Sequence, residues 1–96
     1  MTREEFEHVM SEGKEFLEFE RVQNPRSQRP DLHAFILLDT LQPGTKDIVC
    51  SAAHDEIWLD IDVDALAAVI TKDQCIELQR CGIRYDESTD SLALFT

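Results

Sequence analysis

Basic side chains are scarce in this sequence. The 96 residues include nine Lys and Arg against 20 Asp and Glu, which gives a formal net charge of −11. Proteins that bind nucleic acid contact its phosphates mainly through Lys and Arg, and anionic membrane surfaces attract the same side chains. The composition therefore predicts neither direct nucleic-acid binding nor attachment to an anionic membrane.

Glycine and long apolar runs are also sparse. The three glycines, Gly13, Gly44 and Gly82, lie far apart and form no Gly-rich phosphate loop. No apolar run approaches the roughly 18–20 residues that span a bilayer. The acidic segment Met1–Phe6 lacks the apolar core of a secretory signal. We therefore expect a cytoplasmic protein without a membrane span or a nucleotide-binding loop.

Cysteine is limited to Cys50, Cys75 and Cys81, an odd number without a C-x-x-C pair. This pattern predicts free thiols in a reducing compartment rather than a disulfide framework. The spacing between Cys75 and Cys81 is also too long for the usual pair of zinc-ligating cysteines.

The N-terminal residues 2–22 have the pattern of an amphipathic helix. Apolar or small residues recur every three or four positions, which places them on one stripe: Phe6, Val9, Met10, Gly13, Phe16 and Leu17. Thr2 and Glu5 match a capping box. Pro25 and Pro30 interrupt the pattern, so residues 23–31 are predicted to form a loop.

Residues 32–63 have the character of strands. The dense apolar run 33–41 predicts a first strand, the Pro43-Gly44 pair predicts a type II turn, and residues 47–52 predict a second strand. Aliphatic residues occupy every second position over residues 57–63, which predicts a third strand. Short connections favour an antiparallel meander with one buried face.

The remaining residues predict a second helix and a hairpin. Asp64 is expected to cap a helical turn over residues 65–70, and Thr71 with Gln74 forms a second capping box before a helix over 72–81. Gly82 has the position of a helix-ending glycine. Segments 83–86 and 92–95 then predict a hairpin whose last strand pairs with the meander. The fold class is therefore a single α+β domain over residues 1–96, in the order α-β-β-β-α-β-β.

An acidic surface around one tryptophan is the strongest candidate for a functional site. If residues 57–63 form a strand, four carboxylates and Trp58 share its polar face. The alternative is that the N-terminal helix covers this face and Trp58 packs on Phe6, Phe16 or Leu17. With the acidic residues of the C-terminal hairpin, the predicted partner-binding set is Glu56, Trp58, Asp60, Asp62, Asp64, Asp86, Glu87 and Asp90.

The sequence contains no convincing catalytic or metal-binding motif. Asp60-x-Asp62-x-Asp64 resembles the start of an EF-hand loop, but Ala65 and Thr71 occupy the positions that require Gly and Glu. No nucleophile elbow is present. We therefore predict no catalytic residue, metal or cofactor.

These features predict a non-enzymatic acidic module that binds a basic protein. In size and charge the chain resembles phage anti-CRISPR and DNA-mimic inhibitors and the immunity proteins that block toxic nucleases. The resemblance implies an antagonist of a nucleic-acid-handling protein. The alternative is a small accessory subunit that forms a homodimer through a strand edge or through the stripe Phe6, Val9 and Met10.

Overall fold

Four α-helices and a four-stranded sheet make up the structure, a computed structural model that describes residues 1–96. The helices are α1 (Arg3–Glu12), α2 (Pro30–Leu41), α3 (Val63–Val69) and α4 (Lys72–Arg80), and the strands are β1 (Val49–Ala53), β2 (Glu56–Leu59), β3 (Arg84–Asp86) and β4 (Ser91–Phe95). A short 3-10 helix spans Phe19–Arg21. The α+β class is confirmed, whereas the predicted element order is wrong. No helix is both long enough and apolar enough to cross a bilayer.

The four strands form one antiparallel sheet in the order β1-β2-β4-β3. Each of the two hairpins, β1–β2 and β3–β4, is local in sequence. The last strand joins them because Trp58 of β2 lies opposite Ala93 of β4. The C-terminal strand therefore does pair with the earlier strands, although these form a hairpin and not a three-stranded meander.

The helices pack on one face of this sheet. Leu59 of β2 and Leu92 of β4 are buried in the same core as Phe6 of α1, Leu38 of α2 and Leu78 of α4. Burial of these apolar side chains on folding is the main source of stability.

Helix α1 is much shorter than the predicted helix over residues 2–22. The capping box of Thr2 and Glu5 is present, and Phe6 and Met10 are buried. Gly13 then adopts a left-handed conformation with φ of 62°, which ends the helix. Leu17, predicted to share the buried stripe, has a positive φ and is 65% exposed.

The predicted first strand is instead helix α2. Pro30 occupies the start of the helix, where its missing N–H has no intrahelical partner to lose. His33, Ala34, Leu37 and Leu38 are buried, at helical spacing. The run is apolar on nearly every side, so its periodicity does not distinguish a helix from a strand. The Pro43-Gly44 pair consequently links α2 to β1, and Gly44 lacks the positive φ of a type II turn.

The strand predicted over residues 57–63 ends at Leu59. The carboxylate of Asp62 accepts a hydrogen bond from the N–H of Ala65 at 3.2 Å and caps α3, so the predicted cap at Asp64 is wrong. The side-chain amide of Gln42 accepts a hydrogen bond from the backbone N–H of Asp62 at 2.8 Å and donates one to its carbonyl oxygen at 3.0 Å. These contacts turn the chain out of the sheet while Ile61 and Val63 stay buried.

Helix α4 begins as predicted and ends at Arg80, one residue before the predicted end. Thr71 and Gln74 form the capping box, and Gly82 follows the helix with a φ of 93°. A Cβ atom on Gly82 would lie 2.9 Å from Cδ2 of Leu17. Glycine is therefore favoured at this position by the left-handed backbone conformation, whereas the exposed end of the Leu17 side chain is free to move away from an added Cβ.

We expect Gly82→Ala to lower the free energy of unfolding by about 1 kcal/mol or more, because alanine is strained at positive φ. Gly44→Ala is the matched control, since its φ is not positive and no atom lies within 4 Å of the added Cβ. Urea denaturation measures both. Equal midpoints for the two variants would contradict the structural role of Gly82.

Candidate protein-binding surface

The face of the sheet opposite the helices carries the predicted tryptophan. Trp58 lies opposite Ser51 of β1 and Ala93 of β4, and Ala93 lies opposite Arg84 of β3, so these residues share one face. Trp58 is half-buried and is not among the apolar side chains packed against the core. Phe6 packs on the other face, with its ring 6.3 Å from that of Tyr85. The structure therefore separates Trp58 from Phe6.

Trp58 is held in place by one of the predicted acidic residues. Its indole N–H donates a hydrogen bond to Oδ2 of Asp86 at 2.8 Å. Asp86 also accepts hydrogen bonds from the backbone and hydroxyl of Ser88 and from the hydroxyl of Thr89. The hydrogen bond from the indole makes the largest contribution to lowering the pKa of Asp86 to about 2, and the hydrogen bonds from Ser88 and Thr89 make smaller ones. Asp86 therefore positions Trp58 and has little free hydrogen-bonding capacity for a partner.

Three further predicted carboxylates are neutralised within the chain. Arg84 forms an ion pair with Glu56 and stacks over the ring of Phe95 at 4.6 Å. Arg3 forms ion pairs with Asp64, at 2.5 Å, and with Asp90. The Arg3 ion pairs join α1 to α3 and to the β3–β4 turn, and the Arg84 contacts join β3 to β2 and β4. They also reduce the anionic character of this part of the predicted site.

The predicted stripe over residues 56–64 is not continuous. Glu56 and Trp58 lie in β2, Asp60 follows the strand, Asp62 caps α3 and Asp64 lies in its first turn. The stripe is broken because the strand ends at Leu59. Asp60 and Glu87 are the two predicted acidic residues whose carboxylates are exposed and form no hydrogen bond or ion pair within the protein.

The free carboxylate of Asp60 lies in a shallow depression at one end of β1. Asp39 of α2 lines the same depression, together with Gln42, Lys46 and Ile48. The backbone N–H of Asp60 donates to the carbonyl oxygen of Ile48 at 2.6 Å, which fixes Asp60 beside the start of β1. Sequence reasoning missed Asp39 because it placed this residue in a strand. A helical reading of residues 30–41 would have placed Asp39 on the exposed side.

The three cysteines have different environments. Cys50 is exposed on β1, whereas Cys75 and Cys81 are buried. Burial raises the pKa of Cys75 to about 11 and that of Cys81 to about 12. Their thiols are therefore protonated and unreactive in the folded protein at neutral pH.

The side chains form no group of three or more His, Cys, Asp or Glu residues that is arranged to hold a metal ion. No protein-family model, curated protein sequence or solved structure matches this chain.

We expect Trp58→Phe to raise the pKa of Asp86, because the largest contribution that stabilises its carboxylate is removed. In the native protein the hydrogen bonds to the Asp86 carboxylate stabilise the fold above about pH 4. This contribution is lost as the pH falls through about 2, since the pKa of Asp86 in the folded protein lies below the ordinary value of 3.8. Carboxyl carbon NMR titration of Asp86 measures the shift. Asp90→Asn, which leaves the indole bond intact, is the control, and an unchanged Asp86 titration in Trp58→Phe would contradict the assignment.

We expect iodoacetamide at pH 7.5 to modify one cysteine in the folded protein and three in urea. The rapid site is Cys50, and the buried thiols should react on the order of 100-fold more slowly. Mass spectrometry of tryptic peptides identifies the modified residue, and Cys50→Ser should remove the rapid phase. Rapid modification of Cys75 or Cys81 would show that the core is more open than the structure indicates.

Proposed function

We propose that this protein is a non-enzymatic binding module whose free carboxylates dock on a cationic surface of another protein. The observation that carries the proposal is how the chain distributes its charges. Five of the nine cationic side chains lie within 4.0 Å of a carboxylate of the same chain: Arg3, Lys14, Arg21, Arg80 and Arg84. These cations stabilise the fold and leave most of the acidic surplus unbalanced.

Eight of the 20 carboxylates are ion-paired with Arg, Lys or His, and twelve are not. A net charge of about 2–8 in magnitude is enough to keep a small domain dispersed. The larger surplus here costs self-repulsion in the compact state. A cationic partner relieves that repulsion, so charge complementarity favours association.

The two free carboxylates in the depression beside the start of β1 are well placed for such contacts. Asp39 lies on a helix, and Asp60 is fixed by its backbone bond to Ile48. Charges on rigid elements lose little conformational freedom on binding. Opposite charges on the two proteins would speed the encounter and make the affinity depend on salt.

We infer that the partner is a protein whose cationic surface otherwise binds nucleic-acid phosphates. Fixed carboxylates on a rigid surface occupy the same Lys and Arg side chains that contact phosphates. The module would then act as an inhibitor that excludes the nucleic acid. The acidic composition, with few free cations on the module itself, supports this assignment over direct binding of nucleic acid.

The alternative of a homodimer through the helix stripe loses its basis in the structure. Phe6 and Met10 are buried in the core of the monomer, and Val9 is half-buried against it. A strand edge is available at β1.

We expect a peptide array to select Lys- and Arg-rich sequences, and the double variant Asp39→Asn/Asp60→Asn to bind the selected peptides at least 10-fold more weakly in 50 mM salt. The physical reason is that both carboxylates line one depression and neither is ion-paired within the chain. Isothermal titration calorimetry gives the affinities.

The matched control is Glu4→Gln/Asp73→Asn, which changes the net charge by the same amount at exposed helix positions. It should weaken binding less than threefold. Equal losses in the two double variants would show that net charge alone attracts the peptides. Selection of uncharged apolar peptides would contradict the proposed function.

A further inference from the structure

Strand β1 forms an open edge of the sheet. It is the first strand in the order β1-β2-β4-β3 and pairs only with β2. All five of its residues are exposed. One side of this strand therefore presents backbone N–H and C=O groups that have no partner strand.

The opposite edge of the sheet is not open in the same way. Helix α1 lies beside β3, where the hydroxyl of Tyr85 donates to Glu7 at 3.0 Å and accepts from Arg3 at 3.1 Å. Phe6 packs against the same tyrosine ring. Strand addition is thus less hindered at β1, whose residues are all exposed, than at β3, whose residues are half-buried beside α1.

The side chains of β1 do little to block another strand. Its sequence, Val49-Cys50-Ser51-Ala52-Ala53, has no charged residue, no proline and no large side chain. Natural edges are commonly protected by lysine, proline or a bulge, and here the register shift between Val49 and Ser51 is the single such feature. The pairing is regular from Ser51 to Ala53.

The exposed backbone groups of β1 can be identified from the hairpin. Ala53 and Glu56 are paired across the two-residue turn His54-Asp55. The pair that closes such a turn is hydrogen-bonded, and antiparallel ladders alternate. The N–H and C=O of Ala52 therefore point away from β2, toward the open side.

Charge at the two ends of β1 indicates what binds there. Asp47 precedes the strand, Asp55 follows it, and Asp60 is bonded to the carbonyl oxygen of Ile48. All three are exposed, and none forms an ion pair within the chain. Lys46 is the one cation beside them and forms no ion pair, so with Asp47 and Asp60 that end keeps a net charge of −1. An uncharged strand with negative charge at each end matches an extended segment that carries cations at its own ends.

We propose that an extended Lys- or Arg-bearing segment of the partner protein adds to β1 as a fifth strand. Main-chain hydrogen bonds would supply affinity, as in other strand-addition complexes, while the flanking carboxylates would select cationic residues. This inference rests on the proposed function and specifies how the basic partner is held.

A second copy of this chain fits the edge less well. Antiparallel pairing with a second copy would bring the Asp47 end of one β1 beside the Asp55 end of the other. Like charges that lie close together across strands are destabilising. Each copy also carries a net charge of −11. Charge complementarity therefore favours the cationic segment.

Two native side chains report directly on this edge. Cys50 is the one exposed cysteine and lies on β1, and the sole tryptophan, Trp58, lies on the adjacent strand with its backbone carbonyl 3.4 Å from the Cys50 sulfur. The experiment uses the full chain and the basic peptides selected from the array. We expect saturating peptide to slow alkylation of Cys50 by iodoacetamide at least 10-fold and to change the Trp58 emission.

A peptide of the same sequence, N-methylated at alternate amides on its pairing side, keeps its charge and cannot form the ladder. We expect it to bind at least 10-fold more weakly and to leave Cys50 reactive. Asp47→Asn/Asp55→Asn should weaken the unmodified peptide about 10-fold, while Glu4→Gln/Asp73→Asn should leave it within threefold. Neither double variant removes a ladder hydrogen bond, and alkylation of Cys50 without peptide should be unchanged in both.

Four results would overturn the proposal. Equal binding of the two peptides, or a bound peptide that leaves Cys50 reactive, would remove strand addition and leave charge-driven binding in place. Protection of Cys50 that rises with protein concentration in the absence of peptide would show that a second copy occupies the edge. Failure to select any basic peptide would overturn both this inference and the proposed function.

Discussion

The pairing of β4 with β2 holds this structure together. Without it the two hairpins would be separate, and an isolated two-stranded hairpin is only marginally stable in water. Leu92 and Leu94 of β4 are buried in the core shared with the helices, and Ala93 between them lies beside Trp58 on the other face. The last strand of the chain is thus central in the sheet, and β1 is left at its edge.

This arrangement determines where charge is neutralised. Arg3 links α1 to Asp64 of α3 and to Asp90 beside β4, and Arg84 pairs with Glu56 across the sheet. These ion pairs lie where separate elements meet. Carboxylates around β1 have no such partner, since the one cation in that part of the chain, Lys46, forms no ion pair. The same topology therefore leaves one sheet edge open and concentrates free acidic groups next to it.

Local features were predictable from the sequence. The capping boxes at Thr2 and Thr71 and the glycine at 82 involve contacts within about four residues, so their signals survive in any tertiary context. Helix α2 was predicted as a strand because apolar residues occupy nearly every side of it and so give no helical periodicity. Pro30 was taken to interrupt a helix, whereas it begins this one. The early end of β2 depends on Asp62 and Gln42, which are 20 residues apart.

For the candidate surface, the sequence by itself determined the large acidic surplus, the absence of recognisable catalytic motifs and the identity of the single tryptophan. Only the tertiary structure decided which carboxylates remain free. Asp64 and Asp90 meet Arg3 across 61 and 87 residues, whereas Asp39 and Asp60 share a depression that strand alternation does not predict. The physical reason is that composition sets the total charge, while neutralisation requires oppositely charged atoms to come within a few ångströms, and chain folding alone brings distant residues that close.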